Sequence, residues 1–564
     1  MSKNLRSSIK GALNRSIKPG LLSPAQFRGS TLDLDFAGAK SLQNQIGKKD
    51  VVSFTRASSG TYVDGDGLIK TSPVNLVYPS ESIDAGVGLW STTAVNGTIA
   101  VTPNYEQSPY GANTATRVEA TKSGTTSNEF GILQVQPSIS GTSVGSIWIK
   151  SNTGSNQTIY FRVDLGGSED YNLTVTPEWQ RYEMVEDEGS GTCFFSVGLR
   201  GGSDNSCDIS IWGAQLEEGT TATDYIPTTT TISGAPRFDH DPVTGESLGL
   251  LIEEARTNLL TYSGSIRTGN DGFFTNATTV TTNADTAPDG TTTATRLSSD
   301  VGFAYVTASL TSGVDYVFSF YAKTSTDTSW TVNTQGSPFI DKTVTVVPGE
   351  WTRVDLAFTA TATGSQQLRF IKGGGLTGDI LIWGAQVEAG SFPTSYIPTS
   401  GSTVTRAADV AEISGTNFSS WYNQSEGTVF AESRINRVCD TATTSIVFVD
   451  DGTESNFLGL FYRPNGATGA SIKANNIATL GSSPYGVVSA NTTIQQAIAY
   501  KAGDSVGAGG GNLTAVSLAA STPNVNRLLI GDFVGTGARL DGHIKRLAYF
   551  NTRLPDTNLQ NITT

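Results

Sequence analysis

The chain carries one stretch twice: IWGAQLEEGTTATDYIPT runs from Ile211 to Thr228, and IWGAQVEAGSFPTSYIPT runs from Ile382 to Thr399. The copies share Trp-Gly-Ala-Gln near their start and Tyr-Ile-Pro-Thr at their end, while many positions between them vary. A recurrence of this kind predicts a duplicated structural unit.

Other landmarks recur in the same order around both copies. They are Asn75-Leu76 and Asn258-Leu259, PYGANTATRV from Pro109 and PDGTTTATRL from Pro288, SIWIKS from Ser146 and SFYAKT from Ser319, and EWQR from Glu178 and EWTR from Glu350. Turn signals separate short apolar runs throughout each copy, which is typical of a sandwich of two antiparallel sheets. The chain is therefore expected to hold two tandem sandwiches.

Strict strand alternation in ISIWGAQLE places Trp212, Ala214 and Leu216 on one face and Ile211 and Gly213 on the other. A buried aromatic supplies a large apolar area, so Trp212 and Trp383 are expected in the sandwich core. The alternative is that both are ligand platforms.

Composition excludes several classes of protein. The 564 residues carry a net charge of −14, which argues against a general nucleic-acid binder. No apolar run is long enough for a membrane span, and MSKNLRSSIKGALNRSIKPGLL lacks the continuous apolar stretch of a secretory signal, so synthesis and assembly in a cytoplasm are expected. Three cysteines provide no disulfide framework, although pairing of Cys193 with Cys207 stays open.

Residues 1–30 differ from the rest because their only charged residues are basic. An apolar residue recurs every fourth position, which predicts one helical stripe. The segment is expected to be either a short amphipathic anchor for a larger assembly or a loosely packed arm. The residues of the predicted anchor are Leu5, Ile9, Leu13 and Ile17 on the stripe, with Lys3, Arg6, Lys10, Arg15 and Lys18.

The predicted fold class is all-β, with six segments. They are the anchor at 1–30, a β-hairpin connector at 31–74, sandwich repeats at 75–230 and 258–402, a second β-hairpin connector at 231–257, and a C-terminal jelly roll at 403–564. TYVDGDGLI reads as two strands joined at an Asp-Gly turn. LPDTNLQNI predicts a helical turn that starts at Pro555 and packs Leu559 and Ile562 inward.

With these motifs in view, NLxxY, PxGxxTATR, EWxR, IWGAQLExG and TxYIPT resemble the carbohydrate-binding-module β-sandwiches of bacteriophage fibre and head-spike proteins. The resemblance covers about residues 50–410. GHIKRLAYFNTRLPDTNLQNI resembles the end of concanavalin-A-like, laminin-G-like domains, and RFDHDPVTGESLGLLIEEARTNLL resembles a segment of phage virion appendages.

The resemblance implies a structural protein of the virion surface, a head spike or decoration protein, that attaches to other virion proteins through its N-terminus. It also implies a homotrimer and contact with host surface polysaccharide. Neither nucleic acid binding nor membrane insertion is expected. A tail fibre and a glycan-degrading virion enzyme are the alternatives, and a bacterial adhesin would need a secretion signal.

Catalytic constellations are sparse, so the chain is predicted not to be an enzyme. Only His240 and His543 are present, and neither lies in a nucleophile motif. Glu253 and Glu254 are neighbours, which on a strand point to opposite faces and cannot flank one glycosidic bond. No cofactor is expected; Asp239 and Asp241 are weak metal candidates, and a structural calcium ion remains open.

Sugar binding usually needs an exposed aromatic face with polar partners at its rim. Trp330, which the first repeat lacks, and the Trp421-Tyr422 pair in SSWYNQ are the predicted carbohydrate-binding residues. The alternative for all of them is ordinary loop or edge packing.

Overall fold

The computed structural model describes residues 24–564 apart from 167–170, 187–188, 265, 267–272, 277, 299–301, 337, 372–376, 439–442, 482–485, 517–520 and 535–538. The predicted anchor residues, from Lys3 to Lys18, lie outside the described residues, so the anchor stays a prediction. In the described part of the chain, no helix is long and apolar enough to cross a membrane.

Short elements precede the first repeat. They are a 3-10 turn at Pro24–Phe27, helix α1 at Phe36–Ala39, and strands β1 Leu32–Leu34, β2 Gln43–Asn44, β3 Lys49–Asp50, β4 Ser53–Thr55, β5 Thr61–Val63, β6 Ile69–Thr71 and β7 Val74–Asn75. Strands β5 and β6 pair as the predicted hairpin. Its turn is fixed by Asp64, whose carboxylate accepts hydrogen bonds from the N–H groups of Asp66 and Leu68. This segment is called the β5–β6 hairpin below.

The first repeat is a sandwich of two five-stranded antiparallel sheets, of order β16-β13-β19-β10-β9 and β15-β14-β18-β11-β8. Its strands are β8 Ser91–Val95, β9 Gly97–Glu106, β10 Ala115–Lys122, β11 Phe130–Val135, β12 Ser138–Ile139, β13 Ser143–Ser151, β14 Gln157–Asp164, β15 Asn172–Val175, β16 Gln180–Glu186, β17 Gly191–Thr192, β18 Phe194–Arg200 and β19 Ser206–Glu218. Cys193 and Cys207 are buried there as free thiols, and burial raises the pKa of each to about 12.

The second repeat has the same strand order. After the linker strands β20 Ser233–Gly234, β21 Phe238–His240, β22 Ser247–Ile252 and β23 Arg256–Asn258 come β24 Phe273–Asn276, β25 Thr279–Asp285, β26 Ala294–Ser298, β27 Phe303–Leu310, β28 Asp315–Thr324, β29 Ser329–Gln335, β30 Ile340–Thr345, β31 Thr352–Thr359, β32 Gly364–Arg369 and β33 Ile380–Ala389. Its sheets run β31-β28-β33-β26-β25 and β30-β29-β32-β27-β24, which matches the first repeat strand for strand. The predicted tandem antiparallel sandwiches are confirmed.

A bulge in the repeated strand overturns the predicted inward and outward faces. Gly213 and Gly384 both have φ +65°, and the pairing of β19 with β13 slips by one residue at that point, as does that of β33 with β28. An extra residue reverses the alternation. Ile211 and Ala214 therefore both face the core of the first sandwich, whereas Trp212 lies on the outer face of its sheet.

The C-terminal sandwich contains strands from three parts of the chain. Its own elements are β34 Val404–Arg406, β35 Val410–Ser414, α2 Gly415–Ser419, β36 Glu426–Ile435, β37 Thr444–Asp450, β38 Phe457–Tyr462, a 3-10 turn Pro464–Gly466, β39 Thr468–Ala474, β40 Ile477–Gly481, β41 Thr493–Lys501, β42 Val506–Gly509, β43 Asn512–Ala515, β44 Arg527–Ile530, β45 Gly542–Phe550 and α3 Asp556–Ile562. Helix α3 is the predicted helical turn, with Leu559 and Ile562 buried.

The predicted connectors supply the remaining strands of this sandwich. One sheet has the order β21-β22-β45-β36-β41-β42-β43, with β1 also paired to β45, and the other has the order β4-β35-β44-β37-β38-β39-β40. The Arg546 guanidinium donates two hydrogen bonds, of 2.9 and 2.7 Å, to the Asp33 carboxylate and fixes β1 in place. The structure thus differs from the predicted boundary at 403, because the connectors build the C-terminal sandwich and the two repeats are inserted between its strands.

A fully buried cluster of ion pairs lies where the inserted repeats meet the C-terminal sandwich. Its arginines are Arg56, Arg237 and Arg406, and its carboxylates are Glu253 and Asp409. Each arginine follows or precedes an inserted repeat in the chain, so the cluster ties the ends of the insertions together. It is called the arginine cluster below.

Short ion pairs between arginines and carboxylates balance the charges of the arginine cluster. Arg237 contacts Glu253 at 2.7 Å and Asp409 at 2.5 Å, and Arg56 contacts Asp409 at 2.7 Å. Although burial opposes it, the Arg406 and Arg237 guanidiniums hold the pKa of Glu253 well below its usual range. Burial, reinforced by the Glu253 charge, raises the pKa of the nearby Asp541 carboxyl.

Candidate functional site

The repeated stretch forms the same hydrogen-bonded clasp in both sandwiches. In the first, the buried Asn75 side chain donates to the carbonyls of Ala214 and Ile226 and accepts from the N–H groups of Val77 and Leu216. Asn258 makes the four equivalent bonds in the second repeat. The clasp joins the end of the Trp-bearing strand to the Tyr-Ile-Pro-Thr segment, which gives the duplicated residues a structural role.

On the outer sheet face, each repeated tryptophan packs against the tyrosine of its own Tyr-Ile-Pro-Thr segment. Ring centroids are 4.4 Å apart for Trp212 and Tyr225 and 4.6 Å apart for Trp383 and Tyr396. Both tryptophans are buried, but each belongs to the outer face and not to the central core, so the predicted core position is corrected.

Above Trp383 the second repeat has a cavity of about 440 Å³. This volume lies within the range of about 300–1,000 Å³ that small-molecule sites occupy. Its wall combines the outer face of the second repeat with the β5–β6 hairpin, and the buried Trp383 and Tyr396 side chains lie at its base. The lining residues used below are Thr61, Ile69, Thr71, Gly264, Asp289, Thr291, Thr293, Trp383, Tyr396 and Thr399. This is the Trp383 cavity.

A chain of hydrogen bonds orders the polar wall of the Trp383 cavity. The Trp383 indole N–H donates to Thr293 Oγ1 at 3.0 Å, the Thr293 and Thr291 hydroxyls are 2.6 Å apart, and Thr291 Oγ1 donates to Asp289 at 2.7 Å. These side chains are held in position without a ligand, which lowers the entropic cost of binding.

One polar group at the Trp383 cavity has no internal partner. Thr399 is only 7% exposed, and its hydroxyl makes no hydrogen bond to any described residue. The same oxygen has less than 1 Å² of accessible surface, so the protein encloses it and a molecule in the cavity does not reach it. The polar groups open to the cavity are those of the ordered wall, and they suit a small polar molecule.

The first repeat fills the equivalent space with its own side chains. Tyr110 occupies the position of Asp289 in the shared PxGxxTATR motif, and its ring stacks on Trp212 with centroids 4.9 Å apart. Glu81 occupies the position of Gly264 and accepts hydrogen bonds from Tyr225 and Thr114. Two side-chain differences therefore separate a filled outer face from an open one.

The predicted carbohydrate-binding residues do not form a shared site. Trp330 is 3% exposed inside the second core, where its indole N–H donates to the Phe370 carbonyl at 2.9 Å, so an exposed platform there is wrong. Trp421 is 6% exposed and packs against Phe418 and Tyr549. It is not an exposed platform either.

Tyr422 differs from Trp421 because it lines a surface cavity of about 520 Å³ in the C-terminal sandwich. Its ring stacks on Phe418 and Tyr549, with centroids 4.6 and 5.1 Å away, and burial raises the pKa of its hydroxyl well above the ordinary value. The cavity also contains Gln424 and Arg527, but both side chains already bond within the fold. Of the three predicted carbohydrate-binding residues, Tyr422 lines this cavity, whereas Trp330 and Trp421 are not among the lining residues of this cavity or of the Trp383 cavity.

The two metal candidates have other partners. Asp239 accepts hydrogen bonds from the Val63 N–H and lies 2.7 Å from the His543 ring, and Asp241 accepts from the N–H groups of Val243 and Thr244 in its own turn. Across the described ranges, His, Cys, Asp and Glu side chains form no group of three or more suited to a metal ion. Glu253 and Glu254 also have partners, since both are in ion pairs with arginines.

Comparison with known proteins gives distant structural similarities only. No family model matches the chain, and no curated protein matches it. The tandem CBM22-1-CBM22-2 domain of Paenibacillus barcinonensis Xyn10C is 12% identical, covers 60% of this chain and 100% of its own, and has a TM-score of 0.25. The CBM40 of the Ruminococcus gnavus IT-sialidase bound to α2,6-sialyllactose is 14% identical over 26% of this chain and 88% of its own, with a TM-score of 0.22.

A Trypanosoma rangeli sialidase in complex with the inhibitor DANA is 8% identical over 95% of this chain and 97% of its own, with a TM-score of 0.22. Scores this low provide no residue-by-residue correspondence. The Trp383 cavity is therefore described from the residues of this chain alone.

Proposed function

We propose that this chain is a non-catalytic glycan-binding protein of a virion surface and that the Trp383 cavity is its sugar site. The observation that carries the proposal is the ordered wall formed by the Thr293 and Thr291 hydroxyls and the Asp289 carboxylate, above the buried Trp383. Sugars present hydroxyl edges, which match this wall. Attachment to host polysaccharide is the biological role that follows.

The wall supplies both donors and acceptors. Threonine hydroxyls can rotate to donate or accept, and Asp289 adds acceptor oxygens at the rim. Thr61 and Thr71 on the β5–β6 hairpin face the same space, so a ligand would touch an inserted repeat and a connector at once. Binding would then stiffen the junction between them.

The virion placement is supported by the resemblance of RFDHDPVTGESLGLLIEEARTNLL to phage appendage segments and by the basic N-terminal segment. The proposal includes attachment of residues 1–30 to other virion proteins and assembly as a homotrimer. Deletion of residues 1–23, which spares the buried Phe27, is expected to leave a folded protein that no longer joins particles. Normal incorporation of the truncated chain would contradict the anchor.

The sugar site is tested by filling the cavity. Asp289→Tyr gives the second repeat the residue of the first and is expected to abolish binding to an array of bacterial surface polysaccharides and their monosaccharide methyl glycosides. Gly264→Glu should do the same by another side chain. Tyr110→Phe in the first repeat is the matched control and should bind as the unmodified chain does. Unchanged binding by both cavity variants would refute the site.

A further inference from the structure

Charge is distributed unevenly around the Trp383 cavity. Asp289 is the one carboxylate in its lining, and no Lys, Arg or His lies among the described lining residues. Lys70 is adjacent in sequence to the lining, because it stands between the lining residues Ile69 and Thr71. Neighbours on a strand point to opposite faces, and the Lys70 ammonium accordingly lies 4.0 Å from Asp64, away from the cavity.

The Asp289 carboxylate is only half used by the fold. Its Oδ1 accepts hydrogen bonds from the Thr291 N–H at 2.9 Å and the Thr291 hydroxyl at 2.7 Å. Its second oxygen accepts none from the described residues and stays available to a ligand. The first repeat has a neutral tyrosine at this position, and the carboxylate on its outer face, Glu81, already accepts hydrogen bonds from Tyr225 and Thr114.

We infer that the Trp383 cavity takes a neutral or amine-bearing sugar residue and rejects uronic and sialic acids, with Asp289 as the specificity-determining residue. This inference rests on the proposed function. A ligand carboxylate would face Asp289 without a compensating cation in the lining, and like charges repel. A protonated amine would instead pair with the free Asp289 oxygen.

The experiment uses two series of methyl glycosides. One series is glucose, glucosamine and glucuronic acid, and the other is the matching set based on galactose. Each sugar is titrated into the full chain by calorimetry, in a buffer that keeps the amine protonated. In whichever series binds better, we expect the amine to bind several-fold tighter than the neutral sugar and the uronate to bind at least about tenfold weaker than the neutral sugar. Asp289→Asn should remove both differences.

One control keeps the result interpretable. Asp66→Asn makes the same charge change at the exposed tip of the β5–β6 hairpin, outside the cavity, and should leave the charge preference intact. Circular dichroism and thermal unfolding confirm that each variant is folded.

The outcomes separate this inference from the proposed function. Tightest binding of the uronate, or an unchanged preference in Asp289→Asn, overturns the inference while the sugar site stands. If no member of either series binds at millimolar concentration and the polysaccharide array is also negative, the proposed function fails and the inference fails with it.

Discussion

The two repeats share a strand order, a clasp and a tryptophan on the outer face, yet one fills the space above that tryptophan and the other leaves it open. In the first, Tyr110 and Glu81 cover Trp212 and Tyr225. In the second, Asp289 and Gly264 stand at those positions and the β5–β6 hairpin faces the gap. The contrast teaches that a duplicated scaffold can keep its architecture while the side chains and the hairpin above one outer face leave a cavity in only one of these two copies.

The largest expected effect concerns the link that only the second repeat makes with the arginine cluster. Glu253 accepts hydrogen bonds from the N–H and hydroxyl of Ser395, whose counterpart in the first repeat is Asp224. Glu253→Gln is expected to lower the free energy of unfolding by about 3–5 kcal/mol, because it leaves buried guanidiniums undercompensated. Denaturant unfolding measures it.

Glu254→Gln is the control for that substitution, since the Glu254 side chain is 37% exposed and its pair with Arg256 should contribute at most about 1 kcal/mol. Equal losses of unfolding free energy in Glu253→Gln and Glu254→Gln would show that the arginine cluster does not stabilise the second repeat.

The clasp provides a test of equivalence. Asn75→Ala and Asn258→Ala each leave two carbonyls and two N–H groups without their partner, so each should cost about 3 kcal/mol or more. The two losses are expected to agree to within about 1 kcal/mol because the contacts are the same. A large disparity in thermal unfolding would mean that the repeats are less alike than their strand order indicates.

A smaller, pH-dependent effect is expected at Asp541. Burial raises the pKa of this carboxyl in the folded chain above its unfolded value, so the folded state holds the proton more tightly and stability falls as pH rises through the folded pKa. Asp541→Asn should therefore melt higher than the unmodified chain at mildly alkaline pH, and the gap should close as the pH falls towards the unfolded value. A difference in melting temperature that widens towards acid pH would contradict the raised pKa of Asp541.

The smallest effect on stability, and the sharpest test of the comparison, comes from opening the first repeat. Glu81→Gly with Tyr110→Asp should lower the free energy of unfolding by only about 1–3 kcal/mol, through lost stacking and hydrogen bonds. In an Asp289→Tyr background this pair of changes should restore weak sugar binding. Failure to restore it would indicate that the β5–β6 hairpin, rather than the two side chains, makes the site.

The sequence predicted the sandwiches because turn signals and the duplicated landmarks are local patterns. The faces of β19 and β33 were missed because Gly213 and Gly384 introduce a bulge, which strict alternation does not include. A glycine at the same place in both copies was the available signal. The extra strands of the C-terminal sandwich were missed because strands far apart in the chain, such as β1 and β45, pair without any signal in the local sequence pattern.

The candidate site was predicted less well than the fold. Trp330 and Trp421 were chosen because they lie outside the landmarks that the two repeats share, but absence from a shared pattern does not determine exposure. The cavity residues were present in the alignment of the two copies as the exchanges of Tyr110 for Asp289 and Glu81 for Gly264. A difference at a shared landmark was more informative than a residue outside the shared pattern.

The strands of the C-terminal sandwich come from distant parts of the chain, which constrains the order in which the domains can fold during translation. Each inserted repeat contains all the strands of its own two sheets and can close as soon as it has emerged. Strand β1 is made before both repeats and its partner β45 after them, so the edge of β1 must wait unpaired while the repeats are translated. Early closure of the repeats shortens the distance between the segments that flank them, because the two ends of a folded insertion lie much closer together than the ends of an open chain of the same length.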